Sequence, residues 1–121
     1  MLTPILATDD PYGAAQVFVE AGWTLEFATP RDSGDPLTSV VLHGSSVLLG
    51  TSLPEFLPVE ARPHRGAGVE FHLTVPASVI DGVHATHAAV AETTPLVEQL
   101  WGERAFHVTL CGYRFLIAAG T

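Results

Sequence analysis

Glu70 and His72 lie two residues apart in the alternating run Val69 to Val75, which predicts a β-strand. Because successive side chains of a strand point to opposite faces, this carboxylate and this imidazole share one face, opposite the apolar residues of the run. Such a pair can transfer a proton, form hydrogen bonds with a ligand or supply two ligands to a metal ion. His107, in a later predicted strand, is a third candidate for the same site.

Other reactive residue types have weaker patterns. His84 and His87 are three residues apart on a predicted helix, a spacing that can bind zinc. No third ligand lies near them in the sequence, so we expect a partly exposed helix face. Cys111 falls in a predicted turn without a neighbouring base, which favours a small turn residue over a nucleophile. The sequence contains no serine-hydrolase elbow and no glycine loop for phosphate.

The composition excludes some partners and favours others. A net charge of -8 with five Lys plus Arg opposes binding to nucleic acid, because affinity for phosphates comes from basic side chains. No apolar run approaches the ~18 residues of a membrane span, and the first residues lack a signal-peptide pattern, so we expect a cytoplasmic protein without membrane contact. An acidic surface attracts a cationic small molecule, although it also serves solubility.

The elements that position these residues follow one order twice. The first half reads as a strand over Leu2 to Ala7, a helix, a strand over Trp23 to Ala28 and a hairpin around Gly44-Ser45. Asp9-Asp10-Pro11 begins the helix, and Gly22 ends it.

The second half repeats this order after a proline-containing connection. The strand Val69 to Val75 precedes a helix that Ser78 is predicted to cap, and a weak strand lies at Leu96 to Leu100. The buried stripe of this helix is predicted to contain Ile80, Val83 and Val90. A closing hairpin over Arg104 to Ala119 completes the half.

The segment Trp101-Gly102-Glu103-Arg104, with the two short runs around Cys111-Gly112-Tyr113, resembles the closing hairpin of the vicinal oxygen chelate superfamily. This superfamily comprises the glyoxalases, bleomycin-resistance proteins and ring-cleaving dioxygenases. Its members often have an Asp-Pro-x-Gly turn here, whereas this chain has Thr109-Leu110-Cys111-Gly112. The resemblance rests on the order and spacing of elements along nearly the whole chain and on the last twenty residues.

The resemblance implies an α+β fold in one domain over residues 1–121. Two βαβββ units, residues 1–53 and 69–121, would be joined by the connection 54–68. Together they would form a half-open, cup-shaped mixed sheet with helices on its convex side, and the cup would hold the ligand.

The resemblance also places four metal-ligand positions, one on the first and one on the last strand of each unit. They fall on Thr3, Leu49 (Leu48 if the register slips), Glu70 and Leu116. Leucine has no donor atom and the threonine hydroxyl is a poor ligand, so we expect no metal and no cofactor. A metal site built from Glu70, His72 and His107 is the alternative.

These considerations predict a ligand site within the cup, in which Trp101 either stacks on a planar or cationic ligand or acts as a hydrophobic plug at the cup mouth or dimer seam. Arg114 either meets the ligand or pairs with Glu70. The predicted ligand-binding residues are Thr3, Leu49, Glu70, His72, Trp101, Glu103, His107, Arg114 and Leu116.

The predicted function is metal-independent binding and sequestration of a small molecule, in the manner of bleomycin-resistance proteins, by a homodimer. A cationic or planar antibiotic is the expected class of ligand. The first alternative is a metal-dependent lyase, isomerase or dioxygenase of the same superfamily. The second is a metal-free enzyme in which Glu70 or His72 is the general base.

Overall fold

The computed structural model describes residues 1–120 and contains eight β-strands, two α-helices and one 3₁₀ segment. The first half contains β1 (Ile5–Thr8), α1 (Pro11–Glu20), β2 (Thr24–Ala28), β3 (Thr38–Leu42) and β4 (Ser45–Thr51). The 3₁₀ segment (Val59–His64) lies in the connection. The second half contains β5 (Glu70–Pro76), α2 (Ile80–Ala88), β6 (Val97–Glu98), β7 (Arg104–Leu110) and β8 (Tyr113–Gly120).

The strands form two four-stranded mixed sheets of identical topology. The first has the order β1-β4-β3-β2 and the second β5-β8-β7-β6. In each sheet the first and last strands of the unit pair in parallel, and the other neighbours are antiparallel. The predicted α+β fold of two βαβββ units is therefore confirmed. Neither helix of residues 1–120 has the length and apolar character to cross a membrane.

The helix α1 begins where the sequence predicts. The Asp10 carboxylate accepts a hydrogen bond from the Tyr12 amide at 3.1 Å, and Pro11 occupies the first helical position. Ala14, Ala15 and Phe18 are buried, and the helix packs on β2, β3 and β4. The capping residue and the buried apolar stripe thus both predict the helix that the structure shows.

The helix α2 departs from the prediction at both ends. It begins at Ile80 after Val79, and no side chain caps it, so the prediction that Ser78 is the cap is wrong. Ile80 and Val83 are buried as predicted, but Val90 is 44% exposed because the helix ends at Ala88.

The two halves share one core. Phe18 of α1 contacts Trp23 and Phe115 edge to face, with ring centroids 5.1 and 5.8 Å apart. His87 of α2 is fully buried beside them, so the predicted exposed position of His87 is wrong. The reason is helical geometry, since His87 continues the stripe of Ile80 and Val83.

Two tight turns set the registers of the hairpins. His43 and Gly44 connect β3 to β4 with φ of 45° and 86°, and Cys111 and Gly112 connect β7 to β8 with φ of 52° and 85°. Two consecutive positive φ values suit the right-handed twist of the flanking strands. The first turn lies one residue earlier than the predicted Gly44-Ser45, which shifts the pairing of β4 against β3 by two residues, so that Val40 pairs with Val47. Because the side-chain period of a strand is two, this shift leaves the side chains of β4 on the faces that the prediction gives them.

Candidate functional site

The outer face of the second sheet carries most of the predicted site. His72 on β5 is paired with Leu116 on β8, which is paired with His107 on β7. Glu70 is paired with Arg114 in the neighbouring row. Directly opposed residues of adjacent strands share a face. We call Glu70, His72, His107, Arg114 and Leu116 the polar face.

Glu70 is the centre of the polar face. Its Oε1 lies 3.1 Å from His107 Nε2, and its Oε2 lies 3.2 Å from Arg114 Nε. The Glu70 side chain is 36% exposed, so the pairs contribute little to stability. Each carboxylate oxygen of Glu70 thus lies within ion-pair distance of one side-chain nitrogen.

Glu103 organises a second group beside the polar face. It accepts a hydrogen bond from Trp101 Nε1, and its Oε1 lies 3.4 Å from His72 Nε2. The hydrogen bond from Trp101, and after it the one from His72, holds the pKa of Glu103 below its usual value. The Trp101 side chain nevertheless remains 59% exposed. An indole ring is thus fixed at its edge and open to solvent.

Two concave regions meet at the contact between His72 and Glu103. A cavity of about 440 Å³ is lined by Thr3, Glu70 and His72, together with Met1 to Pro4, Gly44 to Val47 and Phe115. A depression of about 700 Å³ is lined by Trp101 and Glu103, together with Thr74, Arg104 and Gly120. Volumes of this size accommodate an organic molecule.

Leu49 is the predicted site residue that the structure places elsewhere. It is fully buried in the core, so its assignment to the ligand-facing surface requires correction. Leu49 is paired with the buried Thr38, and Val47 on the same face of β4 is paired with the buried Val40, so this face packs on the core. Leu48, the position expected if the register slips, lies half-buried on the opposite face and is paired with Ile5.

The metal-ligand positions that the resemblance implies do not fit a metal ion in this chain. Thr3 and Leu116 supply no strong donor, and Arg114 lies against the Glu70 carboxylate. Among residues 1–120, no three His, Cys, Asp or Glu side chains come together as metal ligands. His84 and His87 form no shared metal site, because the Nε2 of His84 lies 3.0 Å from the Thr94 carbonyl oxygen.

Cys111 lies away from the polar face, at the tight turn before β8. Burial raises the pKa of its thiol above the usual value, and Arg65 only partly opposes this effect. A thiol with a raised pKa is a poor nucleophile, which agrees with the prediction of a turn residue.

Glu26 is a carboxylate whose position the sequence analysis does not identify. It lies in β2, where the pairing with β3 shifts between Leu25 and Phe27, and it accepts a hydrogen bond from Ser39 Oγ at 2.7 Å. The alternating sequence of β2 predicts a regular strand, and no residue in it signals the irregularity. Only the three-dimensional pairing reveals where this carboxylate points.

Neither a protein-family model nor a curated protein matches the chain. Solved structures do. The chain is similar to FosX, a fosfomycin resistance protein from Listeria monocytogenes complexed with Mn(II), with 13% identity, coverage of 100% of this chain and 92% of that chain, and a TM-score of 0.70.

Two further structures are also similar. One is a bleomycin-binding protein from bleomycin-producing Streptomyces verticillus complexed with copper(II)-bleomycin (18% identity, 99% and 95% coverage, TM-score 0.68). The other is TioX from Micromonospora sp. ML1 (22% identity, 99% and 98% coverage, TM-score 0.69). The chain therefore shares its fold with FosX, the bleomycin-binding protein and TioX.

Proposed function

We propose that the protein binds an organic small molecule, planar and cationic in character, and sequesters it without a metal ion. The exposed Trp101 carries this proposal. Its indole is 59% exposed, yet its Nε1 is held by Glu103. A fixed indole with an open face is suited to stacking and to cation–π contact, which contribute roughly 0.5 to 2 kcal/mol.

Charge and the comparisons support the same class of ligand. Glu103 lies at the edge of the indole, and the chain as a whole carries a net charge of -8. A cation beside the ring would therefore be attracted both by the Glu103 carboxylate and by the negative charge of the whole chain. Several structures with this fold are bleomycin-binding or bleomycin resistance proteins. Thr3, Glu70, His72, His107, Arg114 and Leu116 would supply the polar contacts and the floor of the site.

Calorimetric titration with bleomycin and with the planar acridinium dye proflavine tests the proposal. We expect saturable binding of at least one of them. Trp101→Ala should weaken that binding about 2- to 30-fold, the factor that corresponds to roughly 0.5 to 2 kcal/mol. Leu100→Ala is the matched control, because Leu100 is the neighbouring apolar residue and is fully exposed.

Two outcomes would contradict the proposal. One is the absence of saturable binding for both compounds. The other is an equal loss of affinity in Trp101→Ala and Leu100→Ala, because that result would reflect a general disturbance of the loop rather than contact with the indole.

A proton-transfer enzyme is the second candidate, and the 3.1 Å contact between Glu70 and His107 favours it. In that case Glu70→Gln would abolish turnover while leaving binding largely intact. A metal-dependent relative of FosX is tested by elemental analysis of protein purified without a chelating column. Near-stoichiometric zinc, nickel, manganese or iron would replace the metal-independent proposal.

The assembly in which this site works is proposed to be a homodimer of single-domain chains. The core that the two βαβββ units share supports one domain. Exposed apolar side chains in and beside the connection support a second copy as partner, among them Leu53, Phe56, Val59 and Val69.

A further inference from the structure

The indole of Trp101 is presented by a short loop with little packing of its own. Residues 99–103, which we call the Trp101 loop, connect β6 to β7, and none of them is buried. The Gly102 amide donates to the Gln99 carbonyl oxygen at 2.9 Å, and the Gln99 amide donates to the Glu103 carbonyl oxygen at 2.7 Å. These two hydrogen bonds fix the internal shape of the loop but not its position on the protein.

The adjoining strand gives the Trp101 loop limited support. β6 has two residues, and its pairing with β7 consists of Val97 with Ala105 and Glu98 with Arg104. Leu100, within the loop, is fully exposed and supplies no apolar anchor. Polar side-chain contacts must therefore hold the loop against the rest of the protein.

Arg104, the first residue of β7, provides such a contact with α2. Its Nη2 lies 2.9 Å from Asp81 Oδ1 and its Nη1 lies 3.3 Å from Asp81 Oδ2, so two hydrogen bonds join the guanidinium to the carboxylate. A fork of this kind fixes direction as well as distance. Asp81 lies in the first turn of α2, next to the fully buried Ile80, so it belongs to an element that is anchored in the core.

The place of Arg104 in the chain connects this fork to the indole. Glu103, which accepts the hydrogen bond from Trp101 Nε1, directly precedes Arg104, so the fork holds the backbone next to the carboxylate that orients the ring. His72, whose Nε2 lies 3.4 Å from Glu103 Oε1, contacts the same carboxylate from β5. The hydrogen bond from Arg104, and after it the positive charge of Arg104, lowers the pKa of Asp81, so the fork is formed at neutral pH.

We propose that Arg104 is a positioning residue for the Trp101 site: through its fork with Asp81 it anchors the Trp101 loop on α2 and thereby keeps the indole in one orientation. The role in binding rests on the proposed function, whereas the order of the loop requires no ligand. Because the two side chains are 47% and 73% exposed, the pair contributes little to the stability of the fold. Its contribution is preorganisation, since a loop that is already ordered loses less entropy when a ligand binds.

¹⁵N NMR relaxation of the indole N–H groups tests the order of the loop without any ligand. Asp81→Asn should lower the order parameter of the Trp101 indole to the flexible range, below about 0.6, and leave that of the buried Trp23 unchanged. The midpoint of thermal unfolding should stay close to that of the wild type. Asp9→Asn is the matched control, because the Asp9 carboxylate also pairs with an arginine, 2.7 Å from Arg65 Nη2, and is 79% exposed.

Titration with proflavine measures the effect on binding. Asp81→Asn and Arg104→Met should each weaken binding about 2- to 12-fold, the factor that corresponds to ordering one side chain when the ligand binds. The double variant should bind no more weakly than either single variant, because both changes break the same link. Arg104→Lys should not restore the affinity, since an ammonium group cannot form the fork.

The outcomes separate this role from the proposed function. A Trp101 indole that stays ordered in Asp81→Asn would overturn the positioning role and leave the proposed function standing. An equal loss of order in Asp9→Asn would also overturn it, because the effect would then be general. Wild-type affinity in Asp81→Asn despite a disordered indole would overturn the role in binding. A disordered indole in Asp81→Asn, in a protein whose wild type binds neither proflavine nor bleomycin, would support the positioning role and count against the proposed function.

Discussion

His87 connects the two halves of the chain through hydrogen bonds inside the core. Trp23 Nε1 donates to His87 Nε2 at 2.9 Å, and His87 Nδ1 donates to the Val83 carbonyl oxygen at 2.7 Å. Only the neutral imidazole with its proton on Nδ1 can make both bonds. Protonation of Nε2 would break the bond from Trp23 and place a charge in the core.

This arrangement predicts that stability falls with falling pH. Burial lowers the pKa of His87, and the half-buried His84 nearby acts in the same direction. At a pH below ~6.5, His87 therefore binds a proton more readily in the unfolded chain than in the folded protein. The free energy of unfolding should be highest above pH ~6.5 and decrease as the pH falls through that value.

Urea unfolding between pH ~7.5 and ~5.5 measures this dependence. His87→Gln should flatten it, because the amide oxygen can accept from Trp23 and has no proton to gain in this range. His84→Gln is the control and should retain most of the slope. A wild-type stability that does not change across the range would exclude His87 as the cause.

At the residue scale, the positions of the polar-face side chains could largely be predicted, whereas those of Glu26 and His87 could not. Strand parity places Glu70 beside His72, and pairing across a tight turn brings His107 and Arg114 to the same surface. Glu26 could not be placed, because its position depends on irregular pairing with β3. His87 was predicted wrongly, although its spacing from Ile80 and Val83 carries the signal of a buried stripe.

At the scale of elements, α2 is a helix that its own sequence supports weakly. It has nine residues, no side-chain cap and a glycine at Gly82 within it. Isolated helices of this length are marginal, so tertiary packing of Ile80, Val83 and His87 must provide most of its stability. A substitution that raises helix propensity at an exposed position of α2 should therefore raise the free energy of unfolding of the whole protein.

Gly82→Ala should raise the free energy of unfolding by about 0.5 to 1 kcal/mol. Apart from its chain neighbours and the nearby backbone of α2 itself, no atom lies within 4 Å of a Cβ built at this position, so the methyl group meets no obstacle. Gly66→Ala is the contrasting variant, because Gly66 has φ of +79° and its Cβ would meet the carbonyl oxygen of Gly112. Denaturant unfolding at neutral pH should show the two variants moving in opposite directions, and a destabilised Gly82→Ala would refute this view of α2.

The order of the elements could be predicted because capping residues and alternation are local signals. The register of the first hairpin could not, since His43 adopts φ of 45°, a conformation for which glycine is the usual signal. The glycine that follows it suggested a turn one residue later. This shift does not explain Leu49, because it moves the pairing by two residues and leaves each side chain on its face. The ligand-site assignment of Leu49 comes from the resemblance, and its burial in the core corrects that assignment.

On the scale of the whole molecule, the fold leaves apolar surface where the two halves are joined. Phe56 and Val69 are each 49% exposed, and both line a depression of about 220 Å³ together with Phe71 and Tyr113. Scattered apolar side chains are normal on a surface, but a contiguous group marks a place of association. A second copy of the chain is the proposed partner.

Phe56→Ser should convert the proposed dimer into a monomer at micromolar concentration. Removing an aromatic anchor from the centre of an interface costs roughly 2 to 4 kcal/mol, which corresponds to an increase of about 30- to 1,000-fold in the dissociation constant. Sedimentation velocity over a range of concentrations measures the change. Leu100→Ser is the control, because Leu100 is fully exposed and does not line this depression, so it should leave the assembly unchanged. A wild-type protein that sediments as a monomer at every concentration would refute the dimer, and the ligand site would then have to function within a single chain.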